Sequence, residues 1–354
     1  MKSDWFAKGL IKWYQVNKRD LPWRNEVNPY KIWLSEIILQ QTQVQQGLAY
    51  YLKFAKNYPT IGHLARAKED KVLKDWQGLG YYSRARNMHF AAKNIVKSSK
   101  GKFPNKYEDI RKMKGVGDYT AAAIASFAYN LPHAVVDGNV YRLLSRLFGM
   151  SVPIDAGEGK KQFQLLANNL LDKKKSAIFN QSIMEFGSQH CKPSKPDCLN
   201  CIFNQKCFAF SNNMVTELPV KQKKTKVEKR FLNYVILIDK NKNILLNKRS
   251  EMDIWKGLYE FKLIETDEQK DVNEFLSSNE FDKISTKKFA VLHVSKLHKH
   301  LLTHRQLMCR FFVIKLNSRH HKNALVSKAN ALTKFAFPRL IEKFLNDCNL
   351  SEFS

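Results

Sequence analysis

The sequence predicts two domains of different class: a mostly helical region over residues 1–211 and a smaller α+β domain over residues 231–354. Three observations predict it. The 354 residues suffice for about two domains at roughly 150 residues each, both large enough to bury a core. Apolar residues recur at helical spacing in the first part and at strand-like spacing in the last third. Between the two, Lys221, Lys223, Lys224, Lys226, Lys229 and Arg230 crowd a stretch with little apolar periodicity, which reads as an interdomain linker over 212–230.

Taken in order, Phe6, Leu10 and Trp13 fall at helical spacing, and so do Ile32, Trp33 and Ile37 behind Asn28-Pro29. Further helical patterns cover Ala85–Val96, Thr120–Ala128, Val140–Phe148 and Gln162–Leu171. Past the linker, Phe231–Ile238 and Ile244–Asn247 flank the polar segment Asp239–Asn243, a hairpin signature. Trp255–Ile264 and Leu307–Leu316 are rich in aromatic and β-branched residues, as strands are. Pro338 suits the opening of a last helix with Leu340, Ile341, Phe344 and Leu345 on its apolar face.

An apolar content of 44% with 12% aromatics places the chain among packed globular proteins rather than disordered ones. Charge is the unusual quantity: 60 Lys and Arg against 32 Asp and Glu leave +28. Such an excess attracts a polyanion, either nucleic acid or an anionic membrane face. No apolar run approaches the ~20 residues of a spanning helix. The N-terminus, with Lys2, Asp4, Lys8 and Lys12 scattered along it, holds no signal-peptide core. A cytoplasmic protein is the expectation.

Two segments carry chemistry. In Met113-Lys-Gly115-Val-Gly117-Asp-Tyr119-Thr120-Ala-Ala-Ala, two closely spaced glycines lead into a small-residue helix. Backbone N–H groups exposed there can hold a phosphate without reading a base. The bland alternative is an ordinary helix–turn–helix corner; the charge excess favours DNA. The second segment is Cys191-x6-Cys198-x2-Cys201-x5-Cys207, four of the six cysteines. Clustered thiolates in an intracellular chain read as a metal site, zinc or a [4Fe–4S] cluster. One short pair flanked by longer, unequal gaps favours the cluster over zinc. The intervening loop Lys192-Pro-Ser-Lys195-Pro-Asp197 is stiff and basic enough to touch a phosphate.

A helical chain with this hairpin followed by this cysteine cluster resembles the endonuclease III (helix-hairpin-helix) superfamily of DNA glycosylases, and within it the adenine-specific family. The resemblance covers nearly the whole chain and is dense over Leu21–Arg24, Trp33–Val44, Gln77–Arg84, Met113–Ile124, Val136–Arg142, Asn180–Cys207 and Leu218–Lys224. It implies a helix-hairpin-helix catalytic region carrying a [4Fe–4S] cluster on the four cysteines, and a MutT-like (Nudix-like) second domain. The implied activity is excision of adenine mispaired with 8-oxoguanine or guanine, by a monomer acting on double-stranded DNA.

What the resemblance implies can be set against chemical need. Purine N-glycosidic hydrolysis wants a proton on the leaving base and an anion beside an oxocarbenium-like sugar, hence two carboxyls in different environments. Glu36 lies in Trp33-Leu-Ser-Glu36-Ile-Ile-Leu-Gln-Gln41-Thr42, where apolar neighbours favour its protonated form, and it matches the family's general acid. Asp137 in Val136-Asp137-Gly-Asn139-Val-Tyr-Arg142 matches the second carboxylate, with Asn139 beside it to position water. Tyr119 stands where strand-cleaving relatives carry an attacking lysine; a phenol forms no Schiff base, so the resemblance implies a monofunctional enzyme.

Leu21, Trp23, Arg24, Gln41 and Glu185, and Arg19 beside them, match positions around the extruded adenine. Thr42, Leu79 and Tyr81 match lesion-facing positions, Tyr81 within the wedge loop Gln77–Arg84, and Gly115, Gly117 and Thr120 match the DNA-binding hairpin. Trp255-Lys-Gly-Leu-Tyr-Glu-Phe261 resembles the MutT-like strand motif, yet no glutamate-rich Nudix helix follows it. Where the family shows Phe-Ser-His in its lesion-reading loop, this chain has Leu302-Thr303-His304. A pyrimidine glycosylase with lyase activity and a non-catalytic iron–sulfur DNA-binding module are the competing readings; Tyr119 and the paired carboxyls argue against them.

Overall fold

A computed structural model describes residues 4–222, 227–250, 253–282, 289–319 and 324–353. The chain divides into two compact units, residues 1–66 with 87–223 and residues 67–86 with 224–354.

The first unit is helical. Asn28 opens the helix Pro29–Leu39 by accepting from the backbone N–H groups of Tyr30 and Lys31, and Pro29 sits where no intrahelical N–H is needed. Eight of that helix's 11 residues are buried, Ser35 and Glu36 among them. A helix apolar all round belongs inside, and this one takes a carboxyl in with it. It packs against Asp118–Tyr129, whose unbroken run Thr120–Ser126 is buried because its residues are small.

The turn into Asp118–Tyr129 needs its glycine. Gly115 has φ +82°, and a Cβ there would stand 2.8 Å from the Asn87 side chain. Gly138–Phe148 and Ser176–Gln189 complete the wall around the reaction cavity, with Phe6, Val140, Leu144, Phe163, Phe179 and Phe186 in the shared core.

The second unit is built on β1 (Glu228–Ile238), β2 (Ile244–Leu245), β3 (Asn247–Lys248), β4 (Tyr259–Glu260), β5 (Lys262–Thr266), β6 (Phe289–Val294), β7 (His298–Leu301), β8 (Arg305–Leu316) and β9 (Val326–Ser327). Its main sheet runs β6-β8-β1-β2-β9, with β5 on β1 and β7 on β8. The long β1 and β8 are parallel, and their alternation fills both faces. Tyr234, Ile236, Phe311 and Val313 point toward the helix Arg339–Asp347. Val235, Leu237, Phe312 and Ile314 face Phe275 and Phe281.

The expected hairpin closes on the Ile238–Ile244 pair, and Pro338 caps the last helix. Three features depart from the sequence reading. Residues 228–230 of the expected linker are already strand, paired with Arg305–Leu307; its residues 223–226 lie outside the described ones. Trp255–Ile264 is not one strand, because Trp255 (φ +64°) and Gly257 (φ +81°) turn the chain before β4. Residues 67–86 group with the C-terminal residues rather than with the helical region they belong to in sequence. Among the described residues, no helix is long and apolar enough to cross a membrane.

Candidate active site

The first unit holds a cavity of about 580 Å³ into which three segments turn their polar side chains. Glu36 comes from the middle of Pro29–Leu39, Tyr119 from the first turn of Asp118–Tyr129, and Asp137 from the N-cap of Gly138–Phe148.

Glu36 is buried, and among the described residues it has no ion-pair partner. Burial pushes its carboxyl up to about 7, while a hydrogen bond from Tyr119 and the field of Arg24 pull the other way. The Tyr119 phenol is driven well above its ordinary value, first by burial and then by the two carboxyls, so at neutral pH it is a hydroxyl donor.

Asp137 is held differently. Its Oδ1 accepts from the Val140 backbone N–H at 2.8 Å and its Oδ2 from Asn139 Nδ2 at 2.8 Å. Burial raises its carboxyl, whereas these bonds and Arg142 lower it. A helix N-terminus also favours an anion. Asn139 is itself fixed, since Arg142 Nη2 donates to its Oδ1 at 2.9 Å and to the Gly187 carbonyl at 2.5 Å. Arg142 Nε reaches the Cys191 carbonyl at 2.7 Å, so a continuous hydrogen-bonded chain joins Asp137 to the cysteine segment.

The rest of the wall is a charged clamp. Glu185, wholly buried, accepts from Arg19 Nε at 2.6 Å and Nη2 at 2.8 Å, and from Arg24 Nη2 at 2.5 Å. These cations hold its carboxyl below the ordinary value against a burial effect that raises it. Arg24 also lines the cavity, and its Nε is buried with no hydrogen-bond partner among the described residues. Leu21 and Trp23 are buried apolar walls, Trp23 edge-on to Tyr51. Gln41 sits exposed at φ +54° on the loop that ends the Glu36 helix, next to half-buried Thr42.

One expected DNA contact lands elsewhere. Thr120 is buried, and its hydroxyl accepts from Gln40 Nε2 at 3.0 Å, so it braces two helices rather than facing a phosphate. Gly115 and Gly117 do lie at the exposed turn. The sequence reading missed Gln40, Tyr141, Gln181, Met184 and Ser188, which also line the cavity. All five lie in the segments quoted for the resemblance, but only the third dimension shows that they point inward.

Cys191, Cys198, Cys201 and Cys207 line one cavity beside Arg146 and His190, and all are free thiols. Among the described residues, no three His, Cys, Asp or Glu side chains gather tightly enough for a single metal ion. An all-sulfur donor set is nonetheless soft. Arg146 compensates negative charge there, donating to Cys191 Sγ at 3.6 Å and to the Lys192 carbonyl at 2.7 Å. His190 lines the same cavity, and its Nε2 is buried with no hydrogen-bond partner among the described residues. The residues present thus suit an anionic, sulfur-rich group.

Leu79, Tyr81, Thr303 and His304 belong to the second unit. Leu79 is buried, whereas Tyr81 stands 48% exposed at φ +46°. Tyr81 Oη and Thr303 Oγ1 are 2.5 Å apart, joining the wedge loop to the turn between β7 and β8. Leu302 packs against the sheet core and its N–H donates to the Arg305 carbonyl at 2.8 Å; the turn is therefore anchored despite a smaller side chain.

Comparison with known proteins places this geometry. A model of the HhH-GPD superfamily of base excision DNA repair proteins matches residues 34–168, and a NUDIX domain model matches residues 233–347. An adenine DNA glycosylase of Buchnera aphidicola (subspecies Baizongia pistaciae) is 33% identical over 303 residues, 85% of this chain and 84% of that protein. One from Arabidopsis thaliana is 38% identical over 302 residues, 74% of this chain but only 48% of that longer protein. Among solved structures, a thermostable thymine-DNA glycosylase superposes with a TM-score of 0.56 at 28% identity, over 60% of this chain and 97% of that one.

Proposed function

The chain belongs to the adenine DNA glycosylase family of base-excision repair enzymes, and we propose that it hydrolyses adenine from mispairs with 8-oxoguanine or guanine, leaving an abasic site. The observation that carries this reading is Glu36, a buried carboxyl that keeps its proton to about pH 7 and shares a cavity with a second, hydrogen-bonded carboxyl.

Extrusion of the base costs a few kcal/mol of unstacking. In the cavity, ionised Glu185 can accept from the exocyclic amine, while Arg24 Nε offers a buried donor in want of an acceptor. Glu36 gives its proton to the base nitrogen N7. The glycosidic electron pair then leaves with the base, and positive charge appears on the sugar. Asp137 offsets that charge, and the approaching cation pulls its raised carboxyl back toward ionisation. Asn139 keeps that carboxylate aimed and can hold the attacking water, whose proton returns to Glu36. Tyr119 supplies no amine, so no Schiff base forms and the strand stays intact.

The four thiolates would hold a [4Fe–4S] cluster, an electron-transfer group that this hydrolysis does not need. Bound there, it would fix the segment that Arg142 ties to Asn139. Gly115 and Gly117 would seat a backbone phosphate. In the second unit, Tyr81, Thr303 and His304 would probe the partner strand and the 8-oxoguanine edge.

A base-release assay on duplexes carrying A:8-oxoguanine, A:G, A:C and thymine glycol tests the reading, with products resolved before and after alkali. Adenine release from the first two, strand breaks only after alkali and no borohydride-trapped complex are expected. Release of thymine glycol with spontaneous strand cleavage would overturn it.

A further inference from the structure

The buried imidazole beside the first cysteine carries an inference of its own, which rests on the cluster reading above. His190 closes the helix Ser176–Gln189 and lines the cysteine cavity. The ring is held from two sides, tilted on Phe186 at 4.9 Å between centroids and edge-on to Trp13 at 6.3 Å. Its Nε2 is buried and has no hydrogen-bond partner among the described residues. Buried polar atoms without partners are rare and costly in native proteins. This one is clamped in place beside a cavity whose other polar lining is largely sulfur.

We propose that His190 donates a hydrogen bond from Nε2–H to a sulfur of the cluster. In a neutral imidazole only one nitrogen carries the proton, and the better acceptor decides which. Cluster sulfurs are anionic and accept strongly, so filling the cavity moves the proton to Nε2. The donor then stabilises the more negative cluster state. Hydrogen bonds to sulfur are one of the levers that set such a potential.

The full-length protein, purified with its cluster, serves as the probe. His190→Phe keeps the ring packing and removes the donor; His190→Gln keeps an N–H. Iron and sulfide content are measured first, then the reduction potential and the Fe–S stretching bands. The phenylalanine variant is expected to load iron fully, to be harder to reduce, and to shift its Fe–S stretches. The glutamine variant should fall between it and wild type. If the phenylalanine variant fails to load, the wild type still decides. With ¹⁵N-histidine labelling, its paramagnetic cluster should show an exchangeable proton and a nitrogen coupling. A fully loaded phenylalanine variant with wild-type potential and stretches, or a wild-type cluster without that coupling, overturns the proposal. An iron-free wild type would instead sink the cluster reading beneath it.

Discussion

The second unit surrounds its acids with arginines, whereas the first leaves one buried carboxyl, Glu36, to a phenol. In the second unit Glu260 accepts from Arg249 at 2.5 Å, and Asp253 is bridged by Arg230, Arg249 and Arg305. Three arginines answer the acids there, and Asp253 is held below its ordinary carboxyl value even though burial, its largest influence, raises it. In the first unit Glu36 has a phenol and, among the described residues, no cation in contact, and its carboxyl rises to about 7. Glu185, in the same cavity, is clamped by two arginines and falls. A neutralised buried acid holds structure together. An unneutralised one keeps a proton to give away.

Glu36→Gln attacks that contrast most directly. The amide keeps the shape but cannot be the acid, so single-turnover adenine release should fall ~100- to 10,000-fold with duplex binding retained. Asp137→Asn should be similarly impaired, because a neutral amide cannot offset the sugar cation. A near-normal rate in either variant would remove that residue from the chemistry.

Arg249→Met tests the other half. It removes the guanidinium that Glu260 and Asp253 share, and breaking a buried pair costs about 3–5 kcal/mol. Calorimetry should record a lower melting temperature, while the rate on A:G duplex per folded molecule stays near wild type. A variant melting like the wild type would mean that the ion network is not structural.

Much of this contrast is legible in the sequence, and some is not. Glu36 and Asp137 are found because each sits in a dense local motif, and Asn28-Pro29 and Gly115 announce their helix cap and turn through local backbone needs. Thr120 is misread because its motif says that a helix starts there, not which face of that helix meets Gln40. The clamp on Glu185 is also hidden: Arg19 and Arg24 lie more than 160 positions away, and charge sequence does not reveal such pairing. Residues 67–86 join the second unit through contacts of the same kind, such as Asp70 with Lys248 and Tyr259. A short amphipathic helix shows that it has an apolar face, but not which core receives it.

Tyr119→Phe sharpens the comparison at smaller scale. It removes the one hydrogen bond that favours ionised Glu36, so the carboxyl should titrate higher. The alkaline loss of activity should move to higher pH in a stopped-time rate profile, by about 1 to 2 units for a hydrogen bond to a charged group worth ~1.5–3 kcal/mol, while the rate at low pH stays near wild type. A shift toward lower pH would contradict the assigned direction of that bond. The smallest effect is expected in the second unit. Thr303→Val with His304→Ala removes the partner of Tyr81 and a polar neighbour, each bond worth ~1 kcal/mol. Adenine release opposite guanine should be unchanged and the advantage opposite 8-oxoguanine several-fold smaller; an unchanged ratio would leave lesion reading to Gln41, Thr42, Leu79 and Tyr81.

The most direct test of an unneutralised acid is the pH dependence of single-turnover adenine release from an A:8-oxoguanine duplex. Glu36 is raised from an ordinary 4.5 to about 7, so its protonated form, and with it the rate, should be full below that pH and be lost as pH rises through it. The same proton links to folding: between those two values the folded state binds more protons than the unfolded one, so stability should fall with rising pH in wild type and not in Glu36→Gln. A rate that stays flat from pH 6 to pH 9, or that rises across this range, would contradict the assignment of Glu36 as the acid.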